Sequence, residues 1–320
     1  MRWYWYLILF GVSVAVSTLV SASLVIHEKV FRGNSEQAKQ ILNGARKDAS
    51  PVVQMRVATY DHMQALPHES LTMRSADGLN LKANWYPNGN SKKTAILVHG
   101  WRSAPWWDYG GVFELLIDAG YSVLAVSQRA LYESEGKYVT YGVREQEDLR
   151  GWIDLVLQRF GADRSIALMG VSMGAATVLL ATGKALPQSV KCAVSDCSYT
   201  RAADLFREGS KGWLPISRLC VDLVSRLRTG ASYFPADAKK AVAHSQTPTY
   251  FVHGDVDEVV PYRMMGELYA ACTAPKEQWT VPGAKHGEAY ATDPEGYKAR
   301  ILPFLERYCS GGKSLKQKVR

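Results

Sequence analysis

Five residues, Gly170-Val171-Ser172-Met173-Gly174, constrain this chain more than any others. They follow Ser165-Ile166-Ala167-Leu168-Met169, a short apolar run bounded by turn formers that reads as a buried strand. They run into Ala175 to Ala181, mostly small and apolar, which reads as a buried helix. A serine therefore sits in a tight strand-to-helix turn with a glycine two positions away on either side. Such a turn crowds strand against helix and strains the serine backbone, and side chains at 170 and 174 would clash. In return the hydroxyl stands clear of the sheet. The helix behind it offers free N–H groups and a positive dipole end to a developing negative charge. A glycine-rich turn with an incidental serine would look the same in isolation, so the other segments must discriminate.

The chain around this turn alternates strands and helices. Ser70 to Ser75 and Leu79 to Trp85 alternate in polarity across Asp77-Gly78, a hairpin signal. Thr94 to Val98 is a buried strand ending at His99-Gly100, followed by a helix over roughly Trp107 to Ala119. Tyr121 to Val126 is the next strand. After an irregular stretch comes a helix from about Val143, with Leu149, Trp152, Ile153 and Val156 on its apolar face and Gly161 as its stop. Val190 to Val194, Thr249 to Val252 and Glu277 to Val281 complete the strands. Residues 197–246 carry no strand pattern, and Leu219, Leu223, Val224 and Leu227 recur at helical spacing. That stretch reads as a small helical cap inserted before the last strands. The pattern predicts an α/β fold with a mainly parallel sheet and helices on both faces.

Trp3 to Ile26 is an uncharged, mostly apolar run of about 24 residues, long enough to span a bilayer as a helix. Trp3, Tyr4, Trp5 and Tyr6 crowd one end, where amphipathic rings favour the membrane interface. The rival reading is a cleaved signal peptide with Val20-Ser21-Ala22 at its processing site. The run is long and its positive flank is only Arg2 and the amino terminus, so an uncleaved single-pass anchor is the expectation. The flanking charges do not orient it. A short leading tail places the body outside the cytoplasm, whereas five cysteines without a C-x-x-C pair fit buried free thiols and a reducing compartment. The net charge of +8 suits attraction to anionic headgroups. Nucleic acid is not an expected partner, since no binding motif accompanies the charge. Oligomeric state is not readable.

A serine hydroxyl needs a base. Of seven histidines, His286 lies in Gly283-Ala284-Lys285-His286-Gly287, after the last predicted strand, on the sheet edge where Ser172 emerges. His27, His62, His68 and His244 lie outside the sheet framework and read as surface residues. His99 and His253 precede glycines at strand ends and read as structural hydrogen-bonding groups. The base needs an acid to hold its tautomer. His253-Gly254-Asp255-Val256-Asp257-Glu258-Val259-Val260-Pro261 offers three carboxylates. Two backbone donors should meet an oxyanion: the N–H of Met173 and that of Trp101, freed to point inward by Gly100. Trp106 and Trp107, with Trp101 and Tyr109 beside them, line a pocket or else pack helix against cap.

These segments resemble the bacterial α/β-hydrolase family of serine esterases and peptidase-like hydrolases, particularly members with an N-terminal membrane anchor. The resemblance rests on His99-Gly100-Trp101, the Gly170 to Gly174 turn (the nucleophile elbow), Ser195-Asp196-Cys197, His253-Gly254 through Asp257 to Val260-Pro261, and Lys285-His286-Gly287. Glu133-Ser134-Glu135-Gly136-Lys137-Tyr138 matches in type, and the match covers about residues 69–308. It implies Ser172 as nucleophile, His286 as base, Asp257 rather than Asp255 as acid, and Trp101 and Met173 as oxyanion donors. It implies no metal and no organic cofactor. Where the family usually shows a His-Gly pair after the arginine, this chain has Leu131-Tyr132, so Tyr132 joins Trp106 and Trp107 as a candidate pocket side chain.

The expected organisation is an anchor or signal sequence at 1–27, a polar helical spacer at 28–66, an α/β-hydrolase domain at 67–310 with its cap at about 197–246, and a basic disordered tail at 311–320. The expected activity is hydrolysis of a small carboxylic ester through an acyl-enzyme. A peptidase or amidase would use the same three residues on a peptide substrate. A non-catalytic binding protein of this fold typically lacks one of them.

Overall fold

The computed structural model describes residues 2–209 and 215–310. The tail expected at 311–320 lies outside the described residues. Eight strands form one sheet: β1 (Glu69–Arg74), β2 (Asn80–Tyr86), β3 (Lys93–Val98), β4 (Ser122–Val126), β5 (Ser165–Val171), β6 (Val190–Asp196), β7 (Thr249–Gly254) and β8 (Lys276–Val281). Their order is β1-β2-β4-β3-β5-β6-β7-β8. β1 and β2 pair antiparallel, as do β2 and β4, and every other pair is parallel. The first hairpin closes where Asp77-Gly78 predicts it, with Arg74 opposite Asn80 and Gly78 at φ +90°.

The central strands are largely apolar because both faces are covered. In β3, Ala95 and Leu97 face a cluster with Phe113, Leu116, Ile301 and Phe304. Ile96 and Val98 point the other way, toward Trp152, Ile153, Val156 and Val178. This alternation follows from the two-residue period of a strand. The helices supplying these side chains are α5 (Val112–Asp118) and α13 (Pro294–Cys309) on one face, α6 (Glu145–Phe160) and α7 (Met173–Thr182) on the other. The five cysteines are free thiols, four of them buried.

The single helix expected over 107–119 is two, α4 (Pro105–Asp108) and α5, broken at Gly110-Gly111. Gly111 sits at φ +76°, and the Tyr290 ring occupies the space its side chain would need.

The N-terminal region departs most from expectation. The helix α1 (Arg2–Phe31) is long and apolar enough to cross a membrane. Its outer part is exposed, but its last turns are built into the body. Phe31 is fully buried, with the Tyr141, Phe206 and Tyr233 rings 5.2 to 5.6 Å away. His27, expected at the surface, is also fully buried and stacks on Phe31 at 4.6 Å. The Phe31 carbonyl accepts from Val139 N–H at 2.8 Å, and Gly33 N–H donates to the Lys137 carbonyl.

Residues 28–66 are likewise no free spacer. They form the end of α1 together with α2 (Ser35–Ala45) and α3 (Pro51–Ala65). α3 buries Arg56, Val57, Thr59 and Met63 against α4 and α5. Thr59 Oγ1 donates to Glu114 at 3.0 Å, and Gly110 lets the Arg56 stem lie directly on the backbone. Between β6 and β7 the expected cap contains α8 (Ala202–Gly209), α9 (Pro215–Thr229) and α10 (Ala238–Val242).

Candidate active site

The turn between β5 and α7 has the strain the sequence predicts. Ser172 stands at φ 56°, ψ −119°, a conformation non-glycine residues rarely adopt. A side-chain carbon at Gly170 would strike the Gly174 carbonyl, and one at Gly174 would strike the Val98 carbonyl. The two glycines therefore let α7 approach the ends of β5 and β3. The turn is held by Ser172 N–H, which donates to the Asp196 carbonyl at 2.9 Å.

Three side chains converge there. Ser172 Oγ lies 2.9 Å from His286 Nε2, and His286 Nδ1 lies 2.7 Å from Asp257 Oδ2. Ser172 comes from the end of β5, Asp257 from the loop after β7 and His286 from the loop after β8. A parallel sheet brings all three loops to one edge. Asp257 is fully buried and accepts at Oδ1 from Val259 N–H at 2.8 Å and Val260 N–H at 2.9 Å. Its Oδ2 also receives His253 Nε2 at 3.1 Å. Burial alone would raise this carboxyl. The hydrogen bonds from His253 and His286 outweigh it and hold Asp257 well below the usual carboxylate range.

Asp255 is elsewhere: its Oδ1 accepts from Gly283 N–H at 2.7 Å and braces the turn after β8. His99 and His253 are both fully buried structural groups, as read from sequence. His99 Nε2 accepts from Gln128 N–H at 3.1 Å, so its Nδ1 carries the proton toward the Gly100 carbonyl. Burial lowers its pKa and keeps it neutral.

Met173 opens α7, so its N–H is among the four that a helix leaves unbonded at its start. Trp101 follows Gly100, where a side-chain carbon would lie 3.2 Å from Ser172 Cβ. Trp101, Ser172 and Met173 border one cavity of about 320 Å³. Asp108 fixes the Gly100 loop: its Oδ2 accepts from Gly100 N–H at 2.5 Å and its Oδ1 from Ser103 Oγ at 2.7 Å. Nothing in the pattern Pro105-Trp106-Trp107-Asp108 distinguishes this carboxylate from a solvated one.

The aromatic pocket residues need correction. Trp106 and Tyr132 border a void of about 10 Å³ with Tyr60 and Met63, too small for a ligand and away from Ser172. Trp106 is a core residue, edge-on to Tyr60 at 5.4 Å. Tyr109 is also core, its hydroxyl donating to the Met169 carbonyl at 2.6 Å. Trp107 alone of the three borders a cleft containing Ser172 and His286, with the Arg56 guanidinium over its ring at 4.6 Å. The walls of the 320 Å³ cavity come instead from Val30 and Phe31 of α1, Phe206 and Tyr233 of the cap, and Val259 and Val260 beside the acid loop.

Among the described residues, the donors that converge closely enough for a metal are Cys197, Asp257 and His286. Asp257 and His286 are already bonded to each other, so this group coincides with the hydrogen-bonded site.

Comparison with known proteins bears on this geometry. A family model described as the alpha/beta hydrolase fold matches residues 93–218. Among solved structures, the Pyrococcus furiosus esterase Pf2001 superposes with a TM-score of 0.64 at 25% identity, over 78% of this chain and 95% of that one. The chain has the α/β-hydrolase fold. Est1E from Butyrivibrio proteoclasticus, solved with ferulic acid, superposes with a TM-score of 0.59 at 19% identity, over 75% of this chain and 99% of that one. In sequence this chain is 21% identical to the uncharacterized protein YqkD of Bacillus subtilis, over 93% of this chain and 97% of the relative. It is 26% identical to the uncharacterized membrane protein YNL320W of Saccharomyces cerevisiae, over 76% of this chain and 81% of the relative.

Proposed function

We propose that this α/β-hydrolase is a membrane-anchored serine hydrolase that cleaves carboxylic esters through an acyl-enzyme on Ser172. The observation that carries this reading is the unbroken hydrogen-bonded chain from Ser172 Oγ through His286 to the buried Asp257. Its chain order, Ser, Asp, His, is the order this fold uses.

In the first half-reaction His286 Nε2 takes the hydroxyl proton as Ser172 Oγ bonds to the ester carbonyl carbon. The imidazolium is stabilised by Asp257, which stays ionised because His253 and two backbone N–H groups also bond to it. The carbonyl oxygen becomes an oxyanion that the N–H groups of Met173 and Trp101 receive. Collapse expels the alcohol, which takes the proton from His286. Water then gives its proton to His286, attacks the acyl carbon and releases the acid, returning the proton to Ser172.

The largely apolar cavity against Ser172 suits the acyl part of an ester, and at about 320 Å³ it falls in the size range of small-molecule sites. The membrane anchor is α1, whose outer turns expose Trp3 to Val16 and meet the length requirement for a span. The experiment is labelling with a fluorophosphonate probe, wild type beside Ser172→Ala, followed by turnover of a panel of ester chain lengths and aminoacyl amides. Wild type should label and Ser172→Ala should not. Equal labelling of both would remove Ser172 from the role, and preference for the amides would make the enzyme a peptidase.

A further inference from the structure

The cap helix α9 is apolar on two of its sides. Val221 and Val224 point inward and are buried. Ile216, Leu219, Leu223 and Leu227 fall within an arc of about 80° on the other side, at 3.6 residues per turn. Their exposures are 51%, 57%, 57% and 78%. The three leucines recur at the helical spacing seen in the sequence, yet among the described residues nothing covers the face they mark.

The neighbour of this helix is α1. The two helices pack against each other, and Arg228 near the end of α9, on the side of Val221 and Val224, pairs with Glu28 of α1 at 2.9 Å. The exposed stripe therefore lies on a helix held against the segment that is apolar enough to cross a bilayer. A lone apolar patch would leave its occupant open. A patch on a helix held against a membrane span has one, because the span fixes the bilayer beside that helix. The two helices also share the cavity at Ser172. Val30 and Phe31 of α1 and Val221 and Arg218 of α9 border it, with Arg218 its single charged side chain.

We propose that the Ile216–Leu227 stripe of α9 rests in the headgroup–hydrocarbon boundary beside α1, and that the substrate is a membrane-resident amphiphilic ester whose acyl chain reaches Ser172 along the seam between these two helices. This rests on the reading of Ser172 as the nucleophile and of α1 as the anchor. The acyl chain would pass from hydrocarbon to an apolar cavity without crossing water, and Arg218 would meet a polar or anionic end of the same molecule.

The test uses the full chain in vesicles of phosphatidylcholine and phosphatidylglycerol, and in detergent. The triple variant Leu219→Ser/Leu223→Ser/Leu227→Ser alters the stripe and none of the residues bordering the cavity. It should hydrolyse p-nitrophenyl butyrate in detergent within about twofold of wild type. Its turnover of a long-chain ester carried in the vesicles should fall tenfold or more. Equal loss or no loss on both substrates overturns the proposal. Independently of turnover, Leu223→Cys in a Cys220→Ser background is labelled with a polarity-sensitive dye. Blue-shifted emission that nitroxide-bearing lipids quench places the stripe in the boundary, whereas water-like emission that they leave unquenched overturns it. Wild type that neither labels with fluorophosphonate nor cleaves the soluble ester would instead defeat the hydrolase reading, and the dye would still report whether α9 docks.

Discussion

His253 and His286 share one carboxylate oxygen. Asp257 Oδ2 lies 3.1 Å from His253 Nε2 and 2.7 Å from His286 Nδ1. His253 Nε2 is also 3.1 Å from the Val260 carbonyl, which can only accept, so that nitrogen carries the proton and donates to both. In the proposed mechanism His253 is thus a positioning residue that fixes Asp257 and, through it, His286. In His253→Phe a fully buried carboxylate loses one donor, and His286 loses part of its orientation. We expect kcat to fall roughly 10- to 100-fold with KM nearly unchanged, because no substrate contact is removed. Steady-state kinetics on a soluble ester reads this, and His253→Gln, which can still donate, should recover part of the loss. A rise in KM at constant kcat would place His253 in substrate binding instead.

The two aspartates of the same loop give a sharper contrast. Asp257→Asn should cost about 10⁴ in kcat, as expected when the base loses its tautomer-fixing acid. Asp255→Asn should cost a few-fold at most, since its carboxylate braces Gly283 and does not reach His286. Turnover of both variants, with circular dichroism to check folding, decides the assignment. The reverse ranking would move the acid to Asp255.

The strained turn and the convergence of Ser172, Asp257 and His286 are legible in the sequence because each residue lies in a short pattern with a fixed local consequence. Gly170, Ser172 and Gly174 permit one backbone path, and loops after successive parallel strands must meet at one edge. Asp257 was separable from Asp255 only by resemblance, since two carboxylates two residues apart carry the same local signal. The cavity was not legible. Val30 and Phe31 stand just past the apolar run that ends at Ile26, behind the charged Glu28 and Lys29, so the local pattern says nothing about packing on Tyr141 and Tyr233. Trp106 and Tyr132 were misread for the complementary reason. The space they fill is closed by Tyr60 and Met63 of α3, a segment whose mixed polarity hides its buried face.

A second buried carboxyl lies beneath the site. Asp196, at the end of β6, has an Oδ1 with no hydrogen-bond partner. Burial pushes this carboxyl from 3.8 up to about 7, with His253 and His286 opposing and Asp257 and Asp108 adding to the shift. The folded protein therefore keeps a proton that the unfolded chain gives up above about pH 4. Its contribution to stability is present below that pH and is lost as pH rises toward 7. Asp196→Asn removes the titration. Between pH 4 and 8 the wild type should lose on the order of 2 to 4 kcal/mol relative to the variant. Denaturant unfolding of both proteins at the two pH values measures this difference, and parallel pH curves would show that Asp196 titrates normally.

Arg129 holds the loop after β4 by an ionic network. Its guanidinium donates to Asp148 at 2.6 and 2.7 Å and to Asp77 at 2.8 and 3.2 Å, joining the first hairpin to α6. Arg129 and Asp148 are both buried. Even with this partner, burial pushes the Asp148 carboxyl up to about 6. Arg129→Met leaves that carboxylate uncompensated and should cost about 3 to 5 kcal/mol at neutral pH. The loss should shrink at pH 5, where Asp148 can protonate. Thermal unfolding at pH 5 and pH 8 tests both the size and its direction with pH.

Apart from any role in the membrane, α1 is a wall of the cavity. Val30 borders the space against Ser172 and is only partly buried, so a larger side chain there can enter the cavity without displacing the core around Phe31. Val30→Trp should therefore shorten the cavity. Hydrolysis of an acetyl ester in detergent should stay within about threefold of wild type, while that of an octanoyl or longer ester should fall tenfold or more, about 1.4 kcal/mol of transition-state stabilisation. Phe31→Ala differs in kind, because it empties a fully buried site ringed by three aromatics and should cost about 3 to 5 kcal/mol in stability. Both measurements are made in detergent, so a changed chain-length preference in Val30→Trp reports the cavity and not partitioning into a bilayer. If Val30→Trp leaves the chain-length profile unchanged, the acyl chain does not run along α1, and the selectivity must lie at the cap residues facing it.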